Sequence, residues 1–413
     1  MTNKLIIENF LIFDHVEIDV NRYTVFIGPQ ASGKSVVAKI LYLFYQLPKK
    51  CFSLLDKKDI VKNTIQEMTQ EFGKVFLERL WRAHTFSIRL QTASGFLEYK
   101  YKPNDDIVFS MSENYLSLIS SLEKDFSKEK KDEKGETYFS LNLYRIMRDK
   151  FHAAEWGLLN GGGSASFIPA GRSYFTSLSK LVYTAMVNDV EIDYFVTMFG
   201  SDYEKDKAFY SRHKSIQDID IQLKLLKGIY TIKGPREFIH IQRNNHAYDI
   251  PVADASSGQQ ELLPILLRMF SSPRTFYMIE EPEAHIYPDS QDLLIRYIIS
   301  RRVQNDSETA FLFTTHSPYV LTTINNLAYA GILEARFRQE DNKKALVKLG
   351  KIYPQKERIA QGSLSAYYFD ENKITSIVDP KTGIIDAKKF DAISDKTDNK
   401  FSSLLRLELK EIM

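Results

Sequence analysis

The chain opens with two short stretches in which apolar positions alternate with polar ones. KLIIENF (4–10) and VEIDV (16–20) carry the two-residue period of half-buried strands, and YTVFIG (23–28) is an apolar run suited to a fully buried strand. From about Ser35, through VVAKILYLFYQL, the period becomes helical, and a second helical stretch covers roughly 59–84. FSIRLQ (86–91), the turn signal TASG, FLEYKY (96–101) and DIVFSM (106–111) predict a meander. Residues 113–156 are again helical, NGGGSAS (160–166) is a flexible break, SFIPA (166–170) a short strand, and 173–228 mostly helix.

The remainder alternates. FIHIQ (238–242), the turn RNNH and AYDIPV (247–252) predict a hairpin leading into ASSGQQELLP (255–264), which starts a helix. TFYMIE (275–280) and TAFLFTT (309–315) are buried strands, with helices near 289–303 and from about Pro318. YYFDENKITSIVD (367–379) predicts a hairpin with ENK at its tip, and FSSLLRLELKEIM an amphipathic final helix. The pattern predicts an α/β core completed from both ends of the chain, with a largely helical lobe between. The divisions are 1–112, 113–235 and 236–413.

Composition narrows the classes. A chain of 413 residues, 44% hydrophobic and 26% charged, is an ordinary globular one, long enough for a sizeable core. The net charge of +2 gives no global basic field, so any nucleic-acid contact must come from a local patch. Cys51 is the single cysteine, which rules out an internal disulfide, fits a reducing cytoplasm and reads as a small apolar residue. No secretory signal opens the chain, and no stretch approaches a membrane span. The mixed-sign run EKDFSKEKKDEKGE (123–136) reads as a solvated helix end or loop.

Against that background GPQASGKS (28–35) stands out. It fits G-x-x-x-x-G-K-[ST] in full and lies between a predicted strand and a predicted helix. Gly28 and Gly33 let the backbone wrap around phosphate oxygens with its N–H groups turned inward, and Gln30 lies within the wrap. Lys34 is placed to reach the β- and γ-phosphates, and Ser35 to ligate Mg²⁺. ATP and Mg²⁺ are the cofactors this predicts.

TFYMIEEPEAH (275–285) is an apolar strand ending in two glutamates. Beside a phosphate loop, Glu280 suits the metal and Glu281 suits polarising the attacking water; alone, the pair reads equally well as solvated charge at a strand end. Pro282 helps fix the exit. His316, in FLFTTHSP (311–318), follows the next strand and is placed to reach a γ-phosphate, although a lone histidine is usually a satisfied polar residue. His285 suits a subunit contact or a structural role. In ASSGQQELLP, Ser257 and Gln260 have the spacing of a capping box, but two small polar residues and a glycine exceed what a cap requires. Pro264 predicts a first turn bent away from the rest of that helix.

Taken in this order, the four stretches resemble the ABC-type ATPases, and within them the SMC-like branch that includes RecF-like repair proteins and OLD-type defence ATPases. Gly28, Gly33, Lys34 and Ser35 resemble Walker A. Glu280, Glu281, Glu283 and His285 resemble the extended Walker B and D-loop, and His316 the switch histidine. Ser257, Gly258 and Gln260 resemble the signature loop. The likeness covers roughly 1–45 and 240–320. The departures are a glutamate in place of the commoner aspartate at the metal position, Gln259 in the signature, and no clear glutamine loop. FIPAGRS (167–173) stands in that loop's place, where Arg172 faces either the nucleotide, a neighbouring subunit or a structural salt bridge.

The resemblance implies a P-loop NTPase fold of the ABC-type head, with a β-meander lobe and a helical insertion. It implies a head-to-tail homodimer, or higher oligomer, in which Ser257 and the helix start behind Gly258 touch the γ-phosphate held by Lys34 of the other copy. The middle lobe is short for coiled-coil arms, and the stretch after His316, with the loop DAISDKTD (391–398), is short for a Toprim nuclease. The expected function follows: a cytoplasmic ATPase similar to the stand-alone subunits of Septu, PARIS or retron defence systems, controlling a separate effector. A RecF-like ATPase that binds nucleic acid directly is the alternative, and a transporter-type ATPase subunit fits less well.

Overall fold

A computed structural model of the chain describes residues 3–129, 165–174, 176, 193–213, 218–243, 246–271, 276–301, 309–370 and 373–386. The helical readings over 130–156 and 177–192, most of the glycine-rich break, DAISDKTD and the amphipathic C-terminal stretch lie outside them.

In chain order, β1 (Asn3–Phe10) and β2 (Phe13–Val20) form a hairpin, and β3 (Tyr23–Ile27) leads through the phosphate loop into α1 (Lys34–Tyr45). Next come α2 (Leu47–Ser53), α3 (Ile60–Val75), β4 (Phe86–Thr92), β5 (Gly95–Tyr101), β6 (Val108–Met111) and α4 (Glu113–Glu129). β7 (Ala165–Ile168), α5 (Tyr194–Arg212), α6 (Ile219–Leu225), β8 (Ile229–Lys233), β9 (Arg236–Arg243) and β10 (His246–Pro251) follow. The last part comprises α7 (Ser257–Ser271), β11 (Phe276–Glu280), α8 (Pro288–Ser300), β12 (Ala310–Thr315), α9 (Pro318–Gln339), α10 (Lys343–Ile352), β13 (Leu364–Asp370) and β14 (Lys373–Ser376).

The central sheet has the order β14-β13-β3-β12-β11-β7. Its five strands from β13 to β7 are mutually parallel, and β14 closes one edge antiparallel. Both faces are covered, which is why these strands read as continuous apolar runs. Tyr23, Val25, Ile27, Phe311 and Phe313 pack on one side with Leu262 and Leu266 of α7, Leu294 of α8 and Ile324 of α9. Phe26, Leu312 and Met278 pack on the other with Val37, Leu41 and Phe44 of α1. That second cluster continues into the antiparallel sheet β2-β1-β4-β5-β6. Each such side chain, fully buried, contributes about 1.5–3 kcal/mol, so the two clusters hold the sheet edge in place.

Several elements differ from the sequence expectation. β2 starts at Phe13, because Leu11 and Ile12 make a two-residue turn with Leu11 at φ 53°, and apolar residues give no turn signal. The helix expected over 59–84 stops at Val75, and the indole of buried Trp81 then donates to Phe76 O at 2.9 Å. β8 adds a third strand to the expected hairpin, giving the order β10-β9-β8. β13 begins at Leu364 and pairs with β3 inside the core. β7, within the span read as a helical lobe, is an edge strand of the central sheet. α7 carries Pro264 inside its span, and Leu262 and Leu263 before the proline and Ile265 and Leu266 after it are all buried. Among the described residues no helix is long and apolar enough to cross a membrane.

Candidate nucleotide site

β3 delivers the phosphate loop to the carboxyl edge of the sheet, where ligands of open α/β folds bind. Gly28 and Gly33 have φ of 154° and 90°. A Cβ at Gly28 would lie 2.1 Å from Phe369 O, and one at Gly33 would lie 2.4 Å from the Phe13 ring, so both glycines are required by backbone angle and by space. Gly33 is the N-cap of α1 and offers no side-chain cap, which leaves the first-turn amides for an anion. Gln30 is exposed on the loop. The Lys34 ammonium folds back to donate to Gly28 O at 2.9 Å and Pro29 O at 2.6 Å. Burial lowers it to about 8, with Glu281, Glu283 and Glu280 opposing that shift.

The next two strands bring the acids to the same edge. Thr315 of β12 pairs with Ile27, and Glu280 of β11 pairs with Thr314. Glu280 is buried, and desolvation raises its carboxyl above the ordinary glutamate value, while Ser35, Lys39 and the Ala170 amide favour the charged form. Its Oε2 accepts from Ala170 N at 3.3 Å, and its Oε1 is buried with no hydrogen-bond partner. A lone buried carboxylate oxygen beside the Ser35 hydroxyl fits Mg²⁺, which takes one or two protein oxygens and completes its shell with water and with the phosphate that the helix start favours. Among the described residues no cluster of three or more metal-ligating side chains competes with this arrangement. Glu280 and Ser35 would hold the metal, which supplies charge neutralisation on the phosphates.

Glu281 turns away from the strand at φ 41°, its N–H donating to Thr314 O at 2.8 Å. Its carboxylate is partly exposed, and His316 Nε2 lies 3.3 Å from its Oε1. Glu283 organises this pair. Its Oε1 accepts from the Thr315 hydroxyl and from His316 N, both at 2.7 Å. Ser317 then caps α9, accepting from Tyr319 N and Val320 N.

The start of α7 needs a one-residue correction. The cap is Ser256, not Ser257: Ser256 Oγ accepts from Gln259 N, and Gln259 Oε1 accepts from Ser256 N at 3.0 Å. Gln260, expected at the nucleotide, is instead buried and donates to Val252 O and Ala253 O at 3.1 and 3.0 Å. The reason is register: with the helix starting at Ser257, position 260 faces inward. Freed from capping, Ser257 is exposed in the first turn. Gly258 lies against the turn after β11, where a Cβ would come 2.8 Å from His285 O. His285, at φ 57°, is exposed and helps line a cavity of about 540 Å³ shared with Ser256, Gly258, Lys227, Arg243 and Tyr248. Arg172 is fully buried and ion-paired with Glu261 at 3.1 Å, so the structural alternative holds for it.

Residues 23–322 match the model of a family described as "AAA domain, putative AbiEii toxin, Type IV TA system". The chain belongs to this AAA-domain family. No curated protein matches it. Among solved structures it is similar to an SMC head bound to the C-winged helix domain of ScpA, with TM-score 0.43 and 12% identity over 92% of this chain and 98% of that one. A Pyrococcus furiosus Smc head with an extended coiled coil, bound to the C-terminal domain of ScpA, gives 0.40 and 13% over 96% and 99%. The SMC head domain from Thermotoga maritima gives 0.37 and 15% over 78% and 91%. Likenesses this distant bear on neither partner nor activity.

For an AAA-domain chain the edge holds the parts that phosphate chemistry needs. It has an anion cradle, a metal-type carboxylate, and a second carboxylate open to water with a histidine beside it. Sequence reasoning left three participants without a role: Glu283, the Ala170 amide and Ser256. Glu283 and Ser256 lay inside quoted motifs, but which carboxylate clamps the histidine turn and which serine caps depend on tertiary contacts and helix register.

Proposed function

We propose that the chain is an ATP-binding and ATP-hydrolysing ABC-type ATPase that works as a head-to-tail dimer. The observation that carries this reading is the meeting at one sheet edge of Lys34, Ser35, buried Glu280 with its unpartnered Oε1, and the Glu281–His316 pair. Glu280 and Ser35 take the metal, Glu281 polarises the attacking water, and His316 steadies Glu281 and the γ-phosphate. Support for the sandwich comes from α7: Ser257 is exposed in its first turn, and its neighbours Ser256 and Gly258 line a cavity together with two cations, Lys227 and Arg243, that suit a triphosphate brought by a second copy.

The wider role we infer is control of a separate effector, a nuclease or toxin, in anti-phage defence, as in Septu, PARIS or retron systems, with the ATP state setting the conformation. The family's toxin–antitoxin description supports a chain that acts with a partner. A second reading, direct nucleic-acid binding as in RecF-like repair ATPases, is favoured by the exposed Lys343, Lys344, Lys348 and Lys351 on α10. DNA affinity that falls steeply with salt and is lost on neutralising these lysines selects the second reading. An effector co-purifying with the chain, together with raised phage sensitivity on deletion, selects the first. For the ATPase itself, the purified chain should hydrolyse Mg·ATP and Lys34→Ala should not bind it. A wild-type protein inert to nucleotide overturns the proposal.

A further inference from the structure

The phosphate loop, metal carboxylate and histidine act on the nucleotide of their own chain, whereas Ser257 would act on the nucleotide of a second copy. Something must tell the first set that the second is engaged. One side chain joins them. Arg172 has no exposed surface, and its planar guanidinium spends its donors on four carbonyls. Nε donates to Glu261 O at 3.0 Å, Nη1 to Glu280 O at 2.8 Å and Pro169 O at 3.2 Å, and Nη2 to Glu281 O at 3.0 Å. Glu261 Oε2 stands 3.1 Å from Nε as a charge contact, without being the acceptor of its N–H.

The placement is specific. Glu261 lies one helical turn after Ser257 on α7, about 6 Å along the axis. The carbonyls of Glu280 and Glu281 belong to the two residues whose carboxylates face metal and water. Two residues before Arg172, the Ala170 amide holds the Glu280 carboxylate itself. A rigid fork fastened to all of these ties the α7 first turn to the backbone of both glutamates.

We infer that Arg172 is a positioning residue that couples engagement of Ser257 by a second copy to the alignment of Glu280 and Glu281 for the chain's own nucleotide. This rests on the head-to-tail reading above. Arg172→Lys keeps a charge but lacks the fork, and Glu261→Gln keeps the shape and the backbone carbonyl while removing the carboxylate charge that holds the guanidinium on α7.

The test uses Arg172→Lys and Glu261→Gln in the full chain, with Glu261→Gln as the variant that retains the buried packing if Arg172→Lys fails to fold. Three quantities are measured: affinity for a fluorescent ATP analogue, Mn²⁺ affinity in the presence of nucleotide by electron paramagnetic resonance, and steady-state hydrolysis. Nucleotide affinity and KM should stay within about twofold. Mn²⁺ affinity should fall about fivefold, and kcat about tenfold or more. ATP-driven dimers, scored in a Glu281→Gln background, should still form. A folded variant with unchanged kcat and Mn²⁺ affinity overturns the inference. A uniform loss of affinity, dimerisation and melting temperature also overturns it, because that is what a merely structural tie would give. Absence of ATP-driven dimers without either substitution would instead overturn the head-to-tail reading.

Discussion

His316 Nε2 lies 3.3 Å from Oε1 of Glu281, so the histidine after β12 and the carboxylate after β11 form one unit. Replacing His316 by alanine frees Glu281 from that partner without touching the phosphate loop. Turnover should drop about 100-fold, within the usual range for a displaced general base, while ATP affinity changes less than about threefold. Steady-state kinetics and equilibrium binding check this, and a parallel loss of both contradicts it.

Glu283 holds that unit in place. Glu283→Ala leaves the Thr315 hydroxyl and the His316 amide without their shared acceptor. An unmet buried donor costs about 1–3 kcal/mol, so the variant should melt earlier and turn over as slowly as His316→Ala. Wild-type turnover in Glu283→Ala would show that the clamp does not set the histidine.

Lys34 predicts a pH dependence with a definite sign. Burial lowers its ammonium to about 8 from 10.5, so between these values the unfolded chain carries a proton the folded chain has shed. Its contribution to folding stability therefore rises with pH across that window. A bound triphosphate favours the charged form, so ATP binding above about pH 8 takes up a proton. Affinity should weaken toward tenfold per pH unit there. Calorimetry in buffers of different ionisation enthalpy reads the proton uptake, and a flat profile from pH 7 to 9.5 contradicts the assignment.

Glu280→Gln separates stability from metal binding. Desolvation already disfavours the Glu280 charge, so the amide should melt no earlier than wild type when nucleotide is absent. The additional stabilisation that Mg²⁺ gives over ATP alone should disappear. Thermal unfolding with and without Mg²⁺ decides, and a retained Mg²⁺ increment would remove Glu280 from the metal.

The parallel core was legible because β3, β11 and β12 are buried on both faces and therefore read as unbroken apolar runs. The phosphate loop was legible because its glycines answer a local backbone need. What escaped depended on distant contacts. The Leu11–Ile12 turn carries no turn residues, and the side chains of Ile12 and of Phe13 after it lie over Gly33. The strand at SFIPA was read, but its place at the edge of the central sheet was not, because that place comes from pairing with β11 far along the chain. The cap moved from Ser257 to Ser256 because adjacent serines offer two registers, and Gln259, bonded to Leu226 O at 2.6 Å, fits only one. Arg172 stayed undecided because a buried and an exposed arginine look alike in a sequence until Glu261 comes beside it.

The central claim is that a nucleotide bound to one chain is completed by the exposed start of α7 from another. Sedimentation velocity of the Glu281→Gln protein with Mg·ATP tests it most directly. A dimer that forms with ATP, does not form with ADP and is abolished by Ser257→Arg is the predicted result. A monomer under saturating ATP, or a dimer indifferent to Ser257→Arg, would contradict it.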